Sequence, residues 1–404
     1  MSTSLLYHGF GIRGYQYVRS LFIAGCVYFK IQQDRFSLRC PVCGSKKVIR
    51  KGDKARTFRT LTIGHKPVFI DFSVPRVKCE KCQALQQVKV GFADERRTYT
   101  RSFERYVLEL SRFSTISDVA RHLGVSWDMV KDIQKRDLSK RFRRPKLSKL
   151  RTIAIDEISI GKNHNYLTVV LDLDSGAVVF VGDGKGADAL VPFWRRLYRY
   201  KANIKAVAMD MSQAYISAVR QNLPDAKIVF DHFHVIKLFN DKLSDLRREL
   251  YHQAVNDDEK NVLKGTRWLL LKNPENLKAE YSEDQRLEKA LELNKPLATA
   301  YYMKEDLRQI WSQPSKKKAF LFIIDWIYRA GTSKIEMLKR FARTLATHMT
   351  GILAYYDYPI STGPLEGTNN KIKTMQRQAY GFRDKEFFKL KIMALHQTRY
   401  ALVG

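Results

Sequence analysis

Asp156 closes an apolar stretch, Ile153-Ala-Ile-Asp156, and Asp210 closes another, Ile204-Lys-Ala-Val-Ala-Met-Asp210. Both read as buried strands. A carboxylate at the end of such a strand is costly unless it is paired, hydrogen-bonded or bound to metal. A third acid, Glu366, leads a helical pattern. Glu366, Asn370, Lys373 and Arg377 recur at i, i+4, i+7 and i+11 and share one face, with Ile372, Met375 and Ala379 on the other. Hard oxygen ligands from two strand ends and one helix suit Mg²⁺ or Mn²⁺. Two such ions about 3.5–4 Å apart can clamp the attacking and leaving oxygens of a phosphodiester. In this reading Asp156 bridges both ions, Asp210 holds one and Glu366 the other.

Other acids compete. Glu157 adjoins Asp156, and neighbours on a strand point to opposite faces, so one of the two faces the site. Ile153 and Ile155 leave the choice open. Asp172, Asp174 and Asp183 fall near a hairpin and read as turn or surface residues. Asp231 precedes His232 and His234. That cluster could ligate a metal or equally cap and orient a neighbouring helix.

A second chemistry lies earlier. Cys40-Pro-Val-Cys43 and Cys79-Glu-Lys-Cys82 are two knuckles, each offering two thiolates from one turn, which together close a tetrahedral Zn²⁺ site. Between them Val68, Ile70, Phe72 and Val74 alternate as in a half-buried strand. A strand pair with knuckles at its ends is zinc-ribbon-like, although 35 residues separate the knuckles, a long spacing. Cysteines used this way suit a reducing compartment better than disulfides. Cys26 reads as a buried small hydrophobe.

The elements that position these groups follow. Residues 1–36 mix strand and short helix, and the apolar run Leu21–Phe29 reads as core. Residues 101–138 are helical. Within them 116–133 has helix-turn-helix form, with Ser117 and Ser126 as caps and Gly124 at the turn. Trp127, Lys131 and Lys135 would face a DNA groove. A basic stretch from Lys135 to Lys149, with Arg143 and Arg144, would leave that helix as a linker and track phosphates. Then come strand, hairpin, helix, strand, helix and strand over 151–231, with acids ending the first and fourth strands. That order is ribonuclease-H-like. Residues 235–360 read as an all-α insertion, broken at Pro274, Pro296 and Pro314.

The expected fold is α/β: a ribonuclease-H-like core interrupted by an all-α insertion and preceded by a zinc-ribbon-like module and a helix-turn-helix. The expected domains are 1–95 (zinc-binding), 96–149 (helix-turn-helix and basic linker), 150–234 (core, first part), 235–360 (insertion) and 361–404 (core, second part). A net charge of +31 predicts a polyanionic partner, nucleic acid first. Residues 1–150 hold 32 of the 72 Lys+Arg and 12 of the 41 Asp+Glu, so the footprint is strongest there. No run of 18 apolar residues exists, so no spanning helix or membrane partner is expected.

These blocks resemble bacterial insertion-sequence DDE transposases, most closely the ISL-three family, over essentially the whole chain. The carriers are the two cysteine pairs, the helix-turn-helix, Ile155-Asp-Glu-Ile, Ala208-Met-Asp-Met, Asp231-His-Phe-His234, and Glu366-Gly-Thr-Asn-Asn-Lys-Ile-Lys373 running to Arg383. The resemblance implies a Mg-dependent DNA cleavage and strand-transfer enzyme with Asp156, Asp210 and Glu366 as its triad. It implies terminal inverted repeats and target DNA as substrates, and for Asp231 and His234 a structural role or one that assists catalysis. It also implies a homodimer or larger assembly on DNA and a cytoplasmic, nucleoid-associated site of action. Aromatic residues of the insertion, Trp268, Trp311 or Trp326, could steady a flipped base. The rival readings are a non-catalytic zinc-ribbon and helix-turn-helix regulator, and a simple nuclease on the same core.

Overall fold

The long spacing between the cysteine pairs is a long hairpin. After α1 (Leu5–Phe10), β1 (Gln16–Ile23) and β2 (Cys26–Gln32), the chain runs out along β3 (Val48–Ile63) and back along β4 (Lys66–Cys79), turning at Gly64-His65. Val48 pairs with Cys79, so both knuckles meet at one end of the hairpin. The computed structural model describes residues 5–161 and 165–395 and divides into two units, 1–141 and 142–404.

In the first unit the strand order is β1-β2-β4-β3, and the short β5 (Leu85–Gln87) pairs with β4. The alternation expected along β4 is present: Val68, Ile70, Phe72 and Val74 are all buried, against Phe29, Ile31 and Phe58. The run Leu21–Phe29 is not core throughout. It is the β1–β2 hairpin, turning at Ala24-Gly25 with both residues left-handed, and Phe22 and Ile23 are exposed on the edge strand. Cys26 is half-buried.

Three helices follow, α2 (Arg101–Leu110), α3 (Ile116–Leu123) and α4 (Trp127–Phe142), around Phe103, Val107, Val119, Leu123, Val130 and Ile133. Gly124 supplies the left-handed turn at φ 62°, and Ser126 accepts the Met129 N–H at 3.2 Å. The first cap is Thr115, not Ser117: Thr115 Oγ1 accepts the Asp118 N–H at 3.2 Å, and Ser117 lies inside the helix. Since α4 continues to Phe142, the first half of the expected basic linker is helix. Arg59 ties sheet to helices. Its guanidinium donates to Val68 O at 3.2 Å and to Leu123 O at 3.1 Å, at the C-terminal end of α3, where a helix favours a cation.

The second unit opens with β6 (Thr152–Ser159), β7 (Tyr166–Asp172) and β8 (Val178–Asp183), then α5 (Ala187–Tyr200), β9 (Ala206–Met209), α6 (Gln213–Asn222) and β10 (Lys227–Phe230). The sheet order is β10-β9-β6-β7-β8. β6, β7 and β8 pair antiparallel, and β9 and β10 add parallel to β6. This is the ribonuclease-H-like order. An all-α insertion follows: α7 (His232–Gln253), α8 (Asp257–Gly265), α9 (Arg267–Leu271), α10 (Glu283–Leu293), α11 (Lys295–Arg308), α12 (Lys316–Thr332) and α13 (Glu336–Leu353). The chain then returns to the core as α14 (Gly363–Gln378) and α15 (Lys385–Met393).

The sheet has two distinct faces. Ile153, Ile155, Val207 and Met209 pack with α5, α6 and the insertion. Ala154, Ile158, Val169 and Ala208 pack with Leu365 and Ile372 of α14 and with Phe388 and Ile392 of α15. The insertion is braced by Phe239, Trp326 and Phe341 in mutual edge contacts, and Trp326 is fully buried with its Nε1 donating to Met303 O at 2.9 Å.

One close approach fixes the insertion on the sheet. A Cβ on Gly351 of α13 would lie 2.4 Å from the Phe230 ring of β10. By helix propensity alone, alanine there would stabilise by about 1 kcal/mol. Overpacking against a ring held in a core costs about 1–3 kcal/mol. Gly351→Ala is therefore expected to lower the melting temperature of the second unit. A raised melting temperature in a thermal scan would show that Phe230 yields.

Candidate active site

The parity of β6 separates the two adjacent acids. Ala154 and Ile158 face α14 and α15, so Asp156 between them faces α14. Glu157 shares the parity of Ile153 and Ile155 and interacts with Tyr215 of α6 on the other face. Asp210 follows β9 directly, next to β6 in the sheet. Its Oδ1 accepts the Ser212 N–H at 3.0 Å, which orients it at the start of α6.

Asp156 is half-buried and held at both oxygens. Oδ1 accepts the Glu157 N–H at 2.8 Å, and Oδ2 accepts Nδ2 of Asn369 at 2.8 Å. Burial pushes its carboxyl up to about 6. The Glu157 N–H and the nearby His234 oppose the rise, and the charges of Asp210 and Glu157 add to it. Two acids on neighbouring strands thus stand together at mutual electrostatic cost, which a cation there would offset.

The helix opposite is pinned at its start. Thr362 precedes α14, and its Oγ1 donates to Oδ2 of the buried Asp231 at 2.5 Å. Burial pushes the Asp231 carboxyl up, but bonds from His232 and Thr362 outweigh it and hold the carboxyl below the usual range. Asp231 in turn holds the His232 imidazole above its ordinary value. The Asp231 N–H donates to Met209 O at 3.2 Å, beside Asp210. One buried acid therefore ties the Asp210 strand to the start of the Glu366 helix. Thr362 was missed in the sequence because its partner lies 131 positions away.

On α14 the stripe Glu366, Asn370, Lys373 and Arg377 is exposed, while Leu365, Asn369 and Ile372 are buried. Ala379 is not on an apolar face. It is exposed and ends the helix. The asparagine that reaches Asp156 is Asn369, not Asn370. Its signal was available: Leu365, Asn369 and Ile372 recur at i, i+4 and i+7, a buried stripe with one polar member. Glu366 lies one turn from Asn369, so its Cβ is within about 5–6 Å of that residue's Cβ.

Among the described residues, one group of three or more His, Cys, Asp or Glu ligand atoms lies within 4.8 Å, the tetrad Cys40, Cys43, Cys79 and Cys82. The three carboxylates are not gathered that tightly. In the tetrad the Cys40–Cys82 and Cys43–Cys79 sulfurs are each 3.6 Å apart. A Zn–S bond of about 2.3 Å places tetrahedral sulfurs about 3.8 Å apart, so the cage fits zinc. The Cys43 N–H holds the Cys40 thiol down at about 6, and the Cys82 N–H lowers Cys79. The Ala84 N–H acts to lower Cys82, but burial and its three sulfur neighbours push it up to about 12. Gly44 and Gln83 take the left-handed position after each knuckle.

The DNA-facing candidates sit at the surface. Trp127 is exposed on α4, with Lys131 Nζ 5.3 Å from its ring centroid, and Lys135 is half-exposed. Arg143 and Arg144 are exposed after α4. Of the insertion tryptophans, Trp268 is 65% exposed beneath Arg267, Trp311 is half-buried beside His232, and Trp326 is enclosed. Among the described residues no helix is long and apolar enough to cross a membrane.

A ribonuclease-H-like sheet with acids at its central strands, a helical insertion before an acid-led helix, and a zinc ribbon with a helix-turn-helix define a DDE-type nucleic-acid-processing enzyme. Residues 153–392 match the DDE transposase family of the ISL3 group. Residues 88–137 match the helix-turn-helix domain of transposase family ISL3, and residues 37–82 match the zinc-finger of transposase IS204/IS1001/IS1096/IS1165. The chain is 32% identical over 358 residues to the transposase for insertion sequence element IS1001 of Bordetella parapertussis, covering 88% of both. It is 30% identical over 396 residues to the transposase for IS1557 of Mycobacterium tuberculosis, covering 91% of this chain and 87% of that one. The Drosophila P element transposase strand transfer complex aligns with a TM-score of 0.39 and 11% identity, over 73% of this chain and 91% of that chain. The chain belongs to the ISL3 family of DDE transposases.

Proposed function

We propose that this transposase binds the terminal inverted repeats of its element and cleaves and joins DNA strands at Asp156, Asp210 and Glu366. The observation that supports this most is Asp156 itself: a carboxylate on the α14 side of β6, its charge coupled to Asp210, opposite a helix led by Glu366. The three acids are hard oxygen donors and would hold two Mg²⁺ or Mn²⁺ ions. When bound, such ions acidify the attacking water or 3′-hydroxyl and stabilise the leaving oxygen.

The protein groups do the rest. Asp210, fixed by the Ser212 N–H, and Asp156, fixed at both oxygens, present lone pairs in a set direction. Asn370, Lys373 and Arg377 carry the exposed face of α14 away from Glu366 and suit phosphate contacts. Trp127, Lys131 and Lys135 would enter a groove, and Arg143 and Arg144 would neutralise phosphates. Cys40, Cys43, Cys79 and Cys82 would hold structural Zn²⁺. The working form would be a homodimer or larger assembly on nucleoid DNA in the cytoplasm, with Asp231 and His234 supporting the site.

The test is Mg²⁺-dependent nicking and strand transfer on a duplex carrying one element end. Asp210→Ala and Glu366→Ala are each expected to drop both reactions to background while leaving the end-DNA gel shift intact. Near-normal cleavage by Asp210→Ala would sink the assignment.

A further inference from the structure

The buried stripe of α14 contains a residue that packing does not explain. Leu365 and Ile372 fill the sheet face against Ala154 and Ala208, and Asn369 stands between them at 7% exposure. A buried amide costs about 1–3 kcal/mol when its hydrogen bonds are incomplete, and a leucine of the same shape would carry no such cost. Asn369 meets half of its needs. Nδ2 donates to Asp156 Oδ2 at 2.8 Å, and Oδ1 is buried without a hydrogen-bond partner among the described residues.

We propose that Asn369 is a positioning residue of the reaction centre, fixing the Asp156 carboxylate with Nδ2 so that its remaining lone pairs are held for a hard cation. The proposal rests on the reading of Asp156 as a metal ligand. The amide orientation follows from chemistry: the flipped amide would set an acceptor against an acceptor, so Asp156 itself dictates which end it receives. Glu157 N–H and Asn369 Nδ2 each occupy one site on the carboxylate. An ionised carboxylate has about four lone-pair sites, so free ones remain on oxygens whose rotation is stopped.

The support is rigid. Thr362 on Asp231 holds the start of α14, and Gln376 Nε2 on Ile160 O at 2.5 Å holds its end to the end of β6. Asn369 therefore sits on a helix tied at both ends to the strands that carry the acids. Second-layer partners of metal ligands change affinity or activity by about 10–100-fold when removed.

The experiment uses full-length protein and Mn²⁺ as the probe. Asn369→Leu keeps the branched shape at a larger volume, removes the donor and removes the orphaned oxygen. Mn²⁺ binding by titration calorimetry or by the spin-resonance signal of free Mn²⁺ is expected to weaken by about 10–100-fold. End-DNA binding and the circular dichroism spectrum should stay unchanged, with nicking falling in step with Mn²⁺ affinity. A purely structural Asn369 would move the melting temperature and leave Mn²⁺ affinity alone, which overturns the proposal. Should the leucine variant fail to fold, Asn369→Ser is measured in its place against the same two outcomes. Asp156→Ala run in parallel separates the failures. If it leaves Mn²⁺ binding intact, the reading of Asp156 as a ligand fails and the role of Asn369 falls with it. If it abolishes binding while Asn369→Leu does not, only the role of Asn369 fails.

Discussion

Stripping zinc, or changing Cys79 to Ser, is expected to lower the melting temperature of the first unit by more than about 10 °C while the second unit melts unchanged. Structural zinc contributes apparent binding energies of about 10–16 kcal/mol in small zinc-finger peptides. The first unit has a core of its own around Phe58, Ile70 and Phe72, so only part of that energy is needed to hold it. Even a third of it, at roughly 3–5 °C per kcal/mol for a unit of this size, exceeds the threshold. The loss should begin at the knuckle end, where Val48 pairs with Cys79 and β5 hangs on β4. The Arg59 junction to α3 lies toward the Gly64-His65 turn, away from the knuckles, and should outlast it. Zinc binding at neutral pH should release protons, because the clustered thiols, Cys82 pushed up by its sulfur neighbours, resist losing the last of them without a metal. Affinity should therefore rise with pH. Calorimetry in buffers of different ionisation heat, with differential scanning calorimetry before and after chelation, reads both effects. A chelated protein whose first unit melts as before would refute the structural role.

Much of the architecture was legible because most strands of the second unit are short apolar runs ended by a polar signal. β6 is the exception, since Asp156 does not end it and the strand continues to Ser159. Gly176 marks the β7–β8 turn, and Asp210 and Asp231 mark the ends of β9 and β10. The order of those runs already implies the sheet. The cysteine pairs were legible for a different reason, since the chemistry of four thiolates is local. What stayed hidden was relational. The choice between Asp156 and Glu157 needs to know which helix covers which face, and alternation along β6 is silent on that until Leu365 and Tyr215 are placed on opposite sides. Asn369 was hidden behind Asn370, because the stripe led by Glu366 takes the exposed asparagine and the buried stripe takes the other. Thr115 and Ser117 offer the same hydroxyl two residues apart, and only the backbone shows where α3 begins. The Leu21–Phe29 run misled because an apolar edge strand and an apolar core strand have the same composition. The turn at Ala24-Gly25 was the available clue.

Asp156→Asn is expected to abolish cleavage and, in metal-free protein near pH 7.5, to raise the melting temperature of the second unit. The sign follows from the carboxyl at about 6, raised by burial from its ordinary 3.8. Between these values the folded chain binds more protons at this site than the unfolded chain. Its contribution is therefore fully favourable below about pH 4 and is lost as pH rises through about 6. A difference of about two pH units corresponds to roughly 3 kcal/mol. Asparagine cannot ionise, so it escapes that loss. Its new Nδ2 would face Asn369, whose amide must flip to accept from it while Oδ1 keeps the Glu157 N–H, and that rearrangement returns about 1 kcal/mol. A net gain of roughly 2 kcal/mol should appear as about 4–8 °C at pH 7.5. The gain should vanish at pH 4.5, where the wild-type carboxyl is protonated. Mg²⁺ or Mn²⁺ should reverse the ranking at pH 7.5, because a cation beside Asp156 and Asp210 stabilises the wild-type chain by mass action and has lost its ligand in the variant. Thermal scans of both proteins at pH 4.5 and 7.5, with and without the ion, give four comparisons. An equal difference between variant and wild type at both pH values in the absence of metal would show that burial at Asp156 carries no ionisation penalty. An equal metal-induced shift in both proteins would remove Asp156 from the metal site.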